Sequence, residues 1–352
     1  MIRLKQLNNL TNTQPTQSAT NQVRSNNHQH LRAWWFVFLR ASIFSLLFVH
    51  LGLKANNNEA YDWLLRMQES SQSLNYEISF VVVNGNKADP WRWFHGLVNE
   101  HEVEVLTALN GPGQQLIRKN QVITYLQPEQ PAYSIKDTIT DGPLPEIIRA
   151  NIEQIGLSYD FHLVGKSRVA GLPARLVRII AKDNLRYNYW LWLHEETGLL
   201  LKSAIVSEEG EALEQLQVSN IQVFNEPSEI LTEVEKAELP EAVMIKNSAP
   251  MQNMNWQIGW VPPGFEPVKV DRHFLYGTNK ELVDYVMLSD GVVWFSIYLR
   301  QMKSGESVKP VAFNSGANSY LTQQIQQAEV TVIGKIPAET AQRVVNAISW
   351  KE

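Results

Sequence analysis

From Tyr76 to Phe224 the chain repeatedly writes short runs of alternating apolar and polar residues and closes each with glycine, proline or asparagine. NYEISFVVVNGNK is the first case: Tyr76, Ile78, Phe80 and Val82 alternate with Glu77 and Ser79, and Asn84-Gly85 supplies a hairpin turn. WRWFHGL, EVEVLTAL, QLIRKNQVITYL and PAYSIKD follow, separated by breaks such as NGPG and QPEQP. A period of two sustained over so many closely spaced segments does not fit alternating β and α units; it calls for one large antiparallel sheet. SYDFHLVG, ARLVRIIA and the block RYNYWLWLHEETGLLLKSAIVSEEGEALEQL continue the pattern. In that block Tyr187, Tyr189, Leu191 and Leu193 share one face and Trp190 and Trp192 take the other, with a turn at His194 to Gly198. Leu216 and Val218 are out of phase with Ile221 and Val223, which predicts a bulge near Ser219-Asn220.

Helical spacing replaces alternation at three places. EAYDWLLRMQESSQSL repeats Ala60, Trp63, Leu64, Met67, Ser71 and Leu74 as the stripe of an amphipathic helix lying on the sheet. LPEIIRANIEQIGL has Pro145 at a first helical position, Ile147, Ile148, Ile152 and Ile155 on one stripe and Gly156 as the stop, so one helix is expected there. Residues 226–253 are acidic, punctuated by proline and weakly periodic, and read as an interdomain linker. Beyond them WQIGWVPPGFEPV, LVDYVMLSDGVVWFSIYLRQ and EVTVIGKI are strand-like, with Ser289-Asp290-Gly291 as a tight turn. IPAETAQRVVNAISW closes the chain as a helix with Ala341, Val344, Val345 and Ile348 on one face. The expected fold is mainly β in the α+β class: a large sheet domain over 57–225, the linker 226–253, and a small α+β domain over 254–352.

The beginning of the chain reads as targeting rather than fold. Residues 1–30 are rich in Asn, Gln, Thr and Ser with little to bury. Arg32 and Arg40 then precede an apolar run from Ala41 to Val49 that continues past His50 to Leu53, followed by Lys54 and Ala55. That order describes a secretory signal cleaved near Ala55, so that 1–55 is a disordered start and signal peptide and the mature chain works outside the cytoplasm. Because Trp34 to Leu39 lengthens the apolar stretch, an uncleaved membrane anchor is the rival reading.

A net charge of −5 gives no basic field to gather nucleic acid, and the absence of cysteine removes thiolate metal sites, cysteine nucleophiles and disulfides. HEETG at His194 to Gly198 is half of a zinc-protease motif set in a hairpin turn, and GPGQQL at Gly111 to Leu116 lacks the third glycine of a dinucleotide loop. His95 and His101 with Glu100, Glu102 and Glu104 admit two readings, a metal site or a charged sheet edge. No nucleophile elbow or phosphate loop occurs. The expectation is a binding protein without cofactor, metal or catalytic residues. The aromatics Trp91, Trp93, Tyr125, Tyr133, Tyr187, Tyr189, Trp190 and Trp192 lie on strands of one sheet. They are either an ordinary core or the wall of an apolar groove, since a sheet greasy on both faces needs cover on both.

Five blocks in order carry a resemblance: RVAGLPARLVRI, DNLRYNYWLWLHEETGLLLKSAIVSEEGEALEQ, VPPGF, SDGVVWFSIYL and VTVIGKIPAET. On these residues the chain, from about Tyr61 to Ile348, resembles the RseB/MucB family of periplasmic regulators of the sigma-E envelope-stress response. It departs from the family pattern at Leu172, Asn188 and His194. The resemblance implies a large domain similar to the lipoprotein carriers LolA and LolB, an antiparallel half-barrel closed by helices over an apolar groove. It also implies a partner, the periplasmic segment of an RseA/MucA-type anti-sigma factor, shielded from a regulatory protease and released when lipopolysaccharide or lipoprotein acyl chains are sensed. The groove candidates are then Trp91, Trp93, Tyr125, Tyr187, Tyr189, Trp190 and Trp192. Candidate contacts to the anti-sigma factor are Val261, Pro262, Pro263, Gly264, Phe265, Ser289, Asp290, Gly291 and Trp294, whose glycines also suit plain turns. Arg168, Arg175 and Arg186 either meet lipid phosphates or are solvated strand residues. A lipid or lipoprotein carrier without a regulatory partner is the alternative function, and homodimerisation is left open.

Overall fold

The structure, a computed structural model, describes residues 52–136, 142–244, 254–274 and 281–351. The expected disordered start and all of the signal segment before Gly52 lie outside these residues, while Ala55 falls inside the first helix. Among the described residues no helix is long and apolar enough to cross a membrane.

Helix α1 (Gly52–Ser73) buries Ala60, Leu64, Met67 and Ser71, spaced for one stripe. Strands β1 (Asn75–Asn84), β2 (Lys87–Val98), β3 (His101–Ala108), β4 (Gln115–Lys119), β5 (Val122–Gln127) and β6 (Gln130–Lys136) then meander away from the sheet centre. Strands β7 (Tyr159–Val169), β8 (Leu172–Ala181), β9 (Asn188–His194), β10 (Leu200–Val206) and β11 (Ala212–Phe224) meander back, and β11 closes on β1. With β12 (Ala242–Met244) added in parallel to β6, the sheet has 12 strands. Its outermost strands, β12 and β7, are not paired to each other, which leaves an open half-barrel. The bulge lies where expected: Ser79 pairs with Asn220 and Phe80 with Val218, so Ser219 is left out and its hydroxyl donates to the Ser79 carbonyl at 3.0 Å.

The register sets the inner face. Tyr76, Ile78 and Phe80 oppose His95, Trp93 and Trp91, and the row continues from Trp93 through Leu106 and Leu116 to Tyr125. The segment 144–156 does not form the single expected helix. It makes a 3-10 turn at Glu146–Ile148 and a short α2 (Ile152–Ile155), because Asn151 takes an extended conformation and caps α2, accepting from the Gln154 amide at 3.1 Å. All four isoleucines are buried, so two short turns satisfy the stripe that one helix was expected to present.

Residues 226–244 are not a slack tether. They carry α3 (Glu229–Lys236), whose Leu231 is 0% exposed among Val98, Val103, Val105 and Ile117 on the outer face of the sheet, and then strand β12. The acidic composition belongs to the solvent side of α3 and conceals a stripe of Ile230, Leu231 and Val234. The smaller sheet runs β14 (Glu266–Phe274), β15 (Leu282–Ser289), β16 (Trp294–Gln301), β19 (Ala328–Gly334), β18 (Asn318–Ile325) and β17 (Val311–Ser315) in spatial order. Helix α4 (Ala338–Asn346) covers it with Ala341, Val344 and Val345. Ile348, expected on that helix, instead begins β20 (Ile348–Trp350), which pairs with β13 (Trp256–Ile258). Leu231→Ala is expected to lower unfolding free energy by about 2–5 kcal/mol, measured by urea denaturation.

Candidate functional site

The two sheets meet at a buried ionic contact. Arg186, just before β9, has a fully buried guanidinium, and so does the carboxylate of Asp290 at the β15–β16 turn. Arg186 Nη1 donates to Asp290 Oδ2 at 2.9 Å, and the Tyr159 hydroxyl from β7 donates to the same oxygen at 2.9 Å. The other carboxylate oxygen accepts the backbone amides of Val292 and Val293 at 3.0 and 3.1 Å. Arg186 also donates to both oxygens of Asp183 and to the Pro263 carbonyl, and its plane lies 5.5 Å from the Tyr159 ring and 5.2 Å from the Phe265 ring. Every strong hydrogen-bonding direction of the Asp290 carboxylate is thus occupied, as a buried charge requires. Burial, with the neighbouring Tyr189 and Asp290, holds the Tyr159 hydroxyl well above its ordinary pKa, so it stays a donor at neutral pH. Gly264 completes the contact: its φ of +82° makes the VPPGF turn, and a Cβ there would lie 2.6 Å from the Ser158 hydroxyl.

Beside this contact are two adjoining hollows. The inner one, a narrow cavity of about 40 Å³, lies on the concave face of β2 to β5 and is lined by Trp93, Leu106, Leu116, Ile123, Leu144 and Ile148. Charged groups line it as well: Glu104 and Arg118, both buried, with Glu146 and Arg149. Trp93 is 4% exposed, and its buried indole N–H has no acceptor among the described residues. The outer hollow, of about 340 Å³, runs between the sheets and is lined by Trp91, Pro143, Val293, Trp294 and Lys335. Gly142, Leu144 and Glu146 line both, so one short segment is the wall between them.

Of the five residues weighed as a metal site, His95, Glu102 and Glu104 bring ligand atoms within 4.8 Å of one another, whereas His101 turns away to Glu235 at 3.2 Å. Arg149 enters it, donating to Glu102 at 2.8 Å and also to Glu104, while His95 lies between the Leu74 carbonyl at 2.8 Å and Glu102 at 3.2 Å. A guanidinium already in contact with both carboxylates does not suit a cation, so the cluster is an ionic network tying the 144–156 segment to β3. Burial opposes ionisation of Glu102, but the His95 hydrogen bond and the Arg149 charge together outweigh it and hold its carboxyl below the ordinary value.

The aromatic candidates divide among different environments. Trp93 lines the inner hollow and Trp91 the outer one. Tyr125 opposes Leu116 on the same face and stacks on Tyr133, centroids 5.0 Å apart, at the β5–β6 margin. Tyr187 lines a third cleft with Leu213, Gly316 and Pro337, its hydroxyl donating to the Ile336 carbonyl at 3.3 Å, while Tyr189 is absorbed in packing and meets Tyr159 edge-on at 6.1 Å. Trp190 and Trp192 do not belong to the concavity, because in-register alternation turns them to the outer face, where Arg178 and Lys202 lie over their rings. Among the partner candidates, Pro262, Phe265 and Asp290 are buried at the sheet-to-sheet contact, Val261 and Ser289 are half-buried, and Pro263, Gly264 and Gly291 reach the surface. Of that group, Trp294 lines the outer hollow. Arg186 is neither a phosphate ligand nor a solvated strand residue, since its guanidinium is wholly enclosed. Residues that sequence reasoning missed, Leu106, Leu116, Ile123 and Leu144, carry only the common signal of apolar strand positions and a proline-led turn.

A wide half-barrel with an apolar hollow, clasped to a second sheet through a buried ionic contact, defines a two-part binding protein. Residues 59–243 match the MucB/RseB N-terminal domain and residues 250–349 the MucB/RseB C-terminal domain. The chain belongs to the MucB/RseB family. It is 29% identical over 286 residues to the sigma-E factor regulatory protein RseB of Haemophilus influenzae, covering 81% of this chain and 90% of that one. It is 27% identical over 300 residues to the sigma factor AlgU regulatory protein MucB of Pseudomonas aeruginosa, covering 82% and 90%. In structure it is similar to MucB in the MucA/MucB complex of Pseudomonas aeruginosa, with a TM-score of 0.69 at 25% identity, over 84% of this chain and 99% of the other.

Two outcomes follow from the charges. Asp290→Asn is expected to cost about 3 kcal/mol in denaturant unfolding, more than Asp183→Asn at the more exposed partner. Glu102, with a lowered folded pKa, stabilises the native state above the ordinary carboxylate pKa and loses that contribution as pH falls through its folded value. Glu102→Gln should therefore flatten the acid limb of stability measured against pH.

Proposed function

We propose that the protein is a periplasmic negative regulator of an envelope-stress sigma factor. It holds the periplasmic part of an RseA/MucA-type anti-sigma factor, shields it from regulated proteolysis and releases it on sensing lipid or lipopolysaccharide. Family membership supports the regulatory role, and the MucA-bound relative supports the partner class. The observation that carries the release step is the shared wall: Gly142, Leu144 and Glu146 face the apolar inner hollow on one side and the cleft with Trp91 and Trp294 on the other. An acyl chain filling the inner hollow presses on the surface that shapes the outer cleft. If the anti-sigma segment occupies that cleft, the two ligands prefer different positions of one wall, and each weakens the other by the same factor.

In this reading Trp93, Leu106, Leu116 and Ile123 receive the acyl chain, Arg118 and Arg149 are the cationic part of the lining, and Trp91 and Trp294 engage the peptide. A lipid carrier would use the inner hollow as well; the second sheet, which supplies Trp294 to the outer one, favours the regulator.

The test is a titration of a fluorescent peptide spanning the periplasmic segment of a MucA-type anti-sigma factor, with and without a short-chain lipid A. Trp294→Ala is expected to weaken the peptide by about tenfold or more, the size of a tryptophan anchor. Leu116→Trp, which fills the inner hollow as an acyl chain would, should weaken peptide binding by itself and abolish any further weakening by lipid. Peptide affinity indifferent to saturating lipid in the unaltered protein would sink the coupling, and absence of peptide binding at micromolar concentration would favour the carrier.

A further inference from the structure

The outer face of the large sheet between β8 and β11 takes no part in either hollow. Its cross-strand neighbours form one connected patch: Arg178 opposes Trp190, Trp192 opposes Lys202, and Lys202 opposes Gln217. The Arg178 guanidinium lies 4.4 Å from the Trp190 ring centroid and the Lys202 ammonium 5.0 Å from that of Trp192. The two indoles are 6.2 Å apart and tilted by 63°. Helix α3 packs on the outer face over β2 and β3, away from this patch. Both tryptophans keep part of their surface in water, and Gln217 is exposed.

The charge on this face runs against the rest of the chain. Asp and Glu outnumber Lys and Arg by 36 to 31 overall, yet the outward positions of β8 to β11 defined by these pairings, from Leu176 to Gln217, hold no carboxylate. Their formal charges are Arg178 and Lys202, and neither has an ion-pair partner among the described residues. Two indoles with two unneutralised cations lying across them form a surface with an apolar body and cationic tips. Tryptophan prefers the boundary between hydrocarbon and water, and long basic side chains lay their stems on apolar surface while their heads seek anions.

We propose that this face docks on an anionic phospholipid bilayer. The broad side of a sheet suits a planar surface, and its uncompensated positive charge complements acidic headgroups. Each cation near an anionic leaflet strengthens adsorption by about fivefold. The contact is therefore weak and salt-sensitive, suited to orienting the molecule with its concave side turned away from the membrane.

Because the chain has no cysteine, one nitroxide can be placed at Gln217→Cys, with Gln301→Cys on the smaller sheet as the control. The full chain is mixed with vesicles of phosphatidylglycerol and phosphatidylcholine, or of phosphatidylcholine alone, and oxygen accessibility of the label is read. The expected result is a rise at position 217 with the anionic vesicles only and no change at position 301. Arg178→Gln with Lys202→Gln should weaken adsorption by about fivefold per cation removed and erase the rise. No response at 217, an undiminished response in the double variant, the same response to soluble polyglutamate, or immobilisation that tracks protein concentration without vesicles would overturn the proposal. Should the double variant fail to fold, the contrast between anionic and neutral vesicles in the unaltered background decides.

Discussion

The enclosed pair of Arg186 and Asp290 is the constraint on which the arrangement of the two sheets depends. Neither side chain touches water, so each has to find its hydrogen bonds in the other sheet or its own loop. Asp290 receives the guanidinium, the Tyr159 hydroxyl and two amides of its own turn, while Arg186 reaches Asp183 and the VPPGF carbonyl. Such a contact adds little net stability over an apolar one, but it tolerates few geometries. It fixes the β15–β16 turn against β7 and β9, and that places Val293 and Trp294 on the wall of the outer hollow.

A second ionic network performs a comparable task at the other side of the concavity. Arg149 joins the broken 144–156 segment to Glu102 and Glu104 on β3, with His95 beneath them. The segment is held at Arg149 and by Gln68, which donates to the Ile147 and Ala150 carbonyls, while Leu144, Pro145 and Ile148 line the apolar hollow. A wall anchored by charge and backed by a hollow is the physical basis of the proposed coupling of lipid to peptide. The outer face contributes differently, since Trp190 and Trp192 stand over strands whose inner neighbours Tyr189, Leu191 and Leu193 are closed core. One sheet thus offers unlike surfaces on its two sides, a direct consequence of alternation.

Much of this was legible from local pattern. The alternation of Tyr76, Ile78 and Phe80, the out-of-phase Leu216 and Val218, and the stripe of Ala60, Leu64 and Met67 each report which atoms must leave water, and the strands, bulge and helix follow. The 226–244 segment was misread because charge dominates its composition, whereas α3 needs only Ile230, Leu231 and Val234 to hold it. The 144–156 segment was misread in the opposite sense: its isoleucine stripe is compatible with a helix, and only the capping conformation of Asn151 breaks it.

The candidate site was legible in residue type and not in placement. The sequence alone determined that this chain forms a large antiparallel sheet with a smaller companion, because strand and turn chemistry act over a few residues. Family membership was equally visible in its ordered blocks. Which of the aromatics face a hollow, that Asp290 and Arg186 are buried partners 104 positions apart, and that Trp91 and Trp294 share a cleft were decided only by tertiary structure. Those facts arise from sheet curvature and from the docking of one sheet on another, where contacts are set by register summed over many strands and leave no local mark.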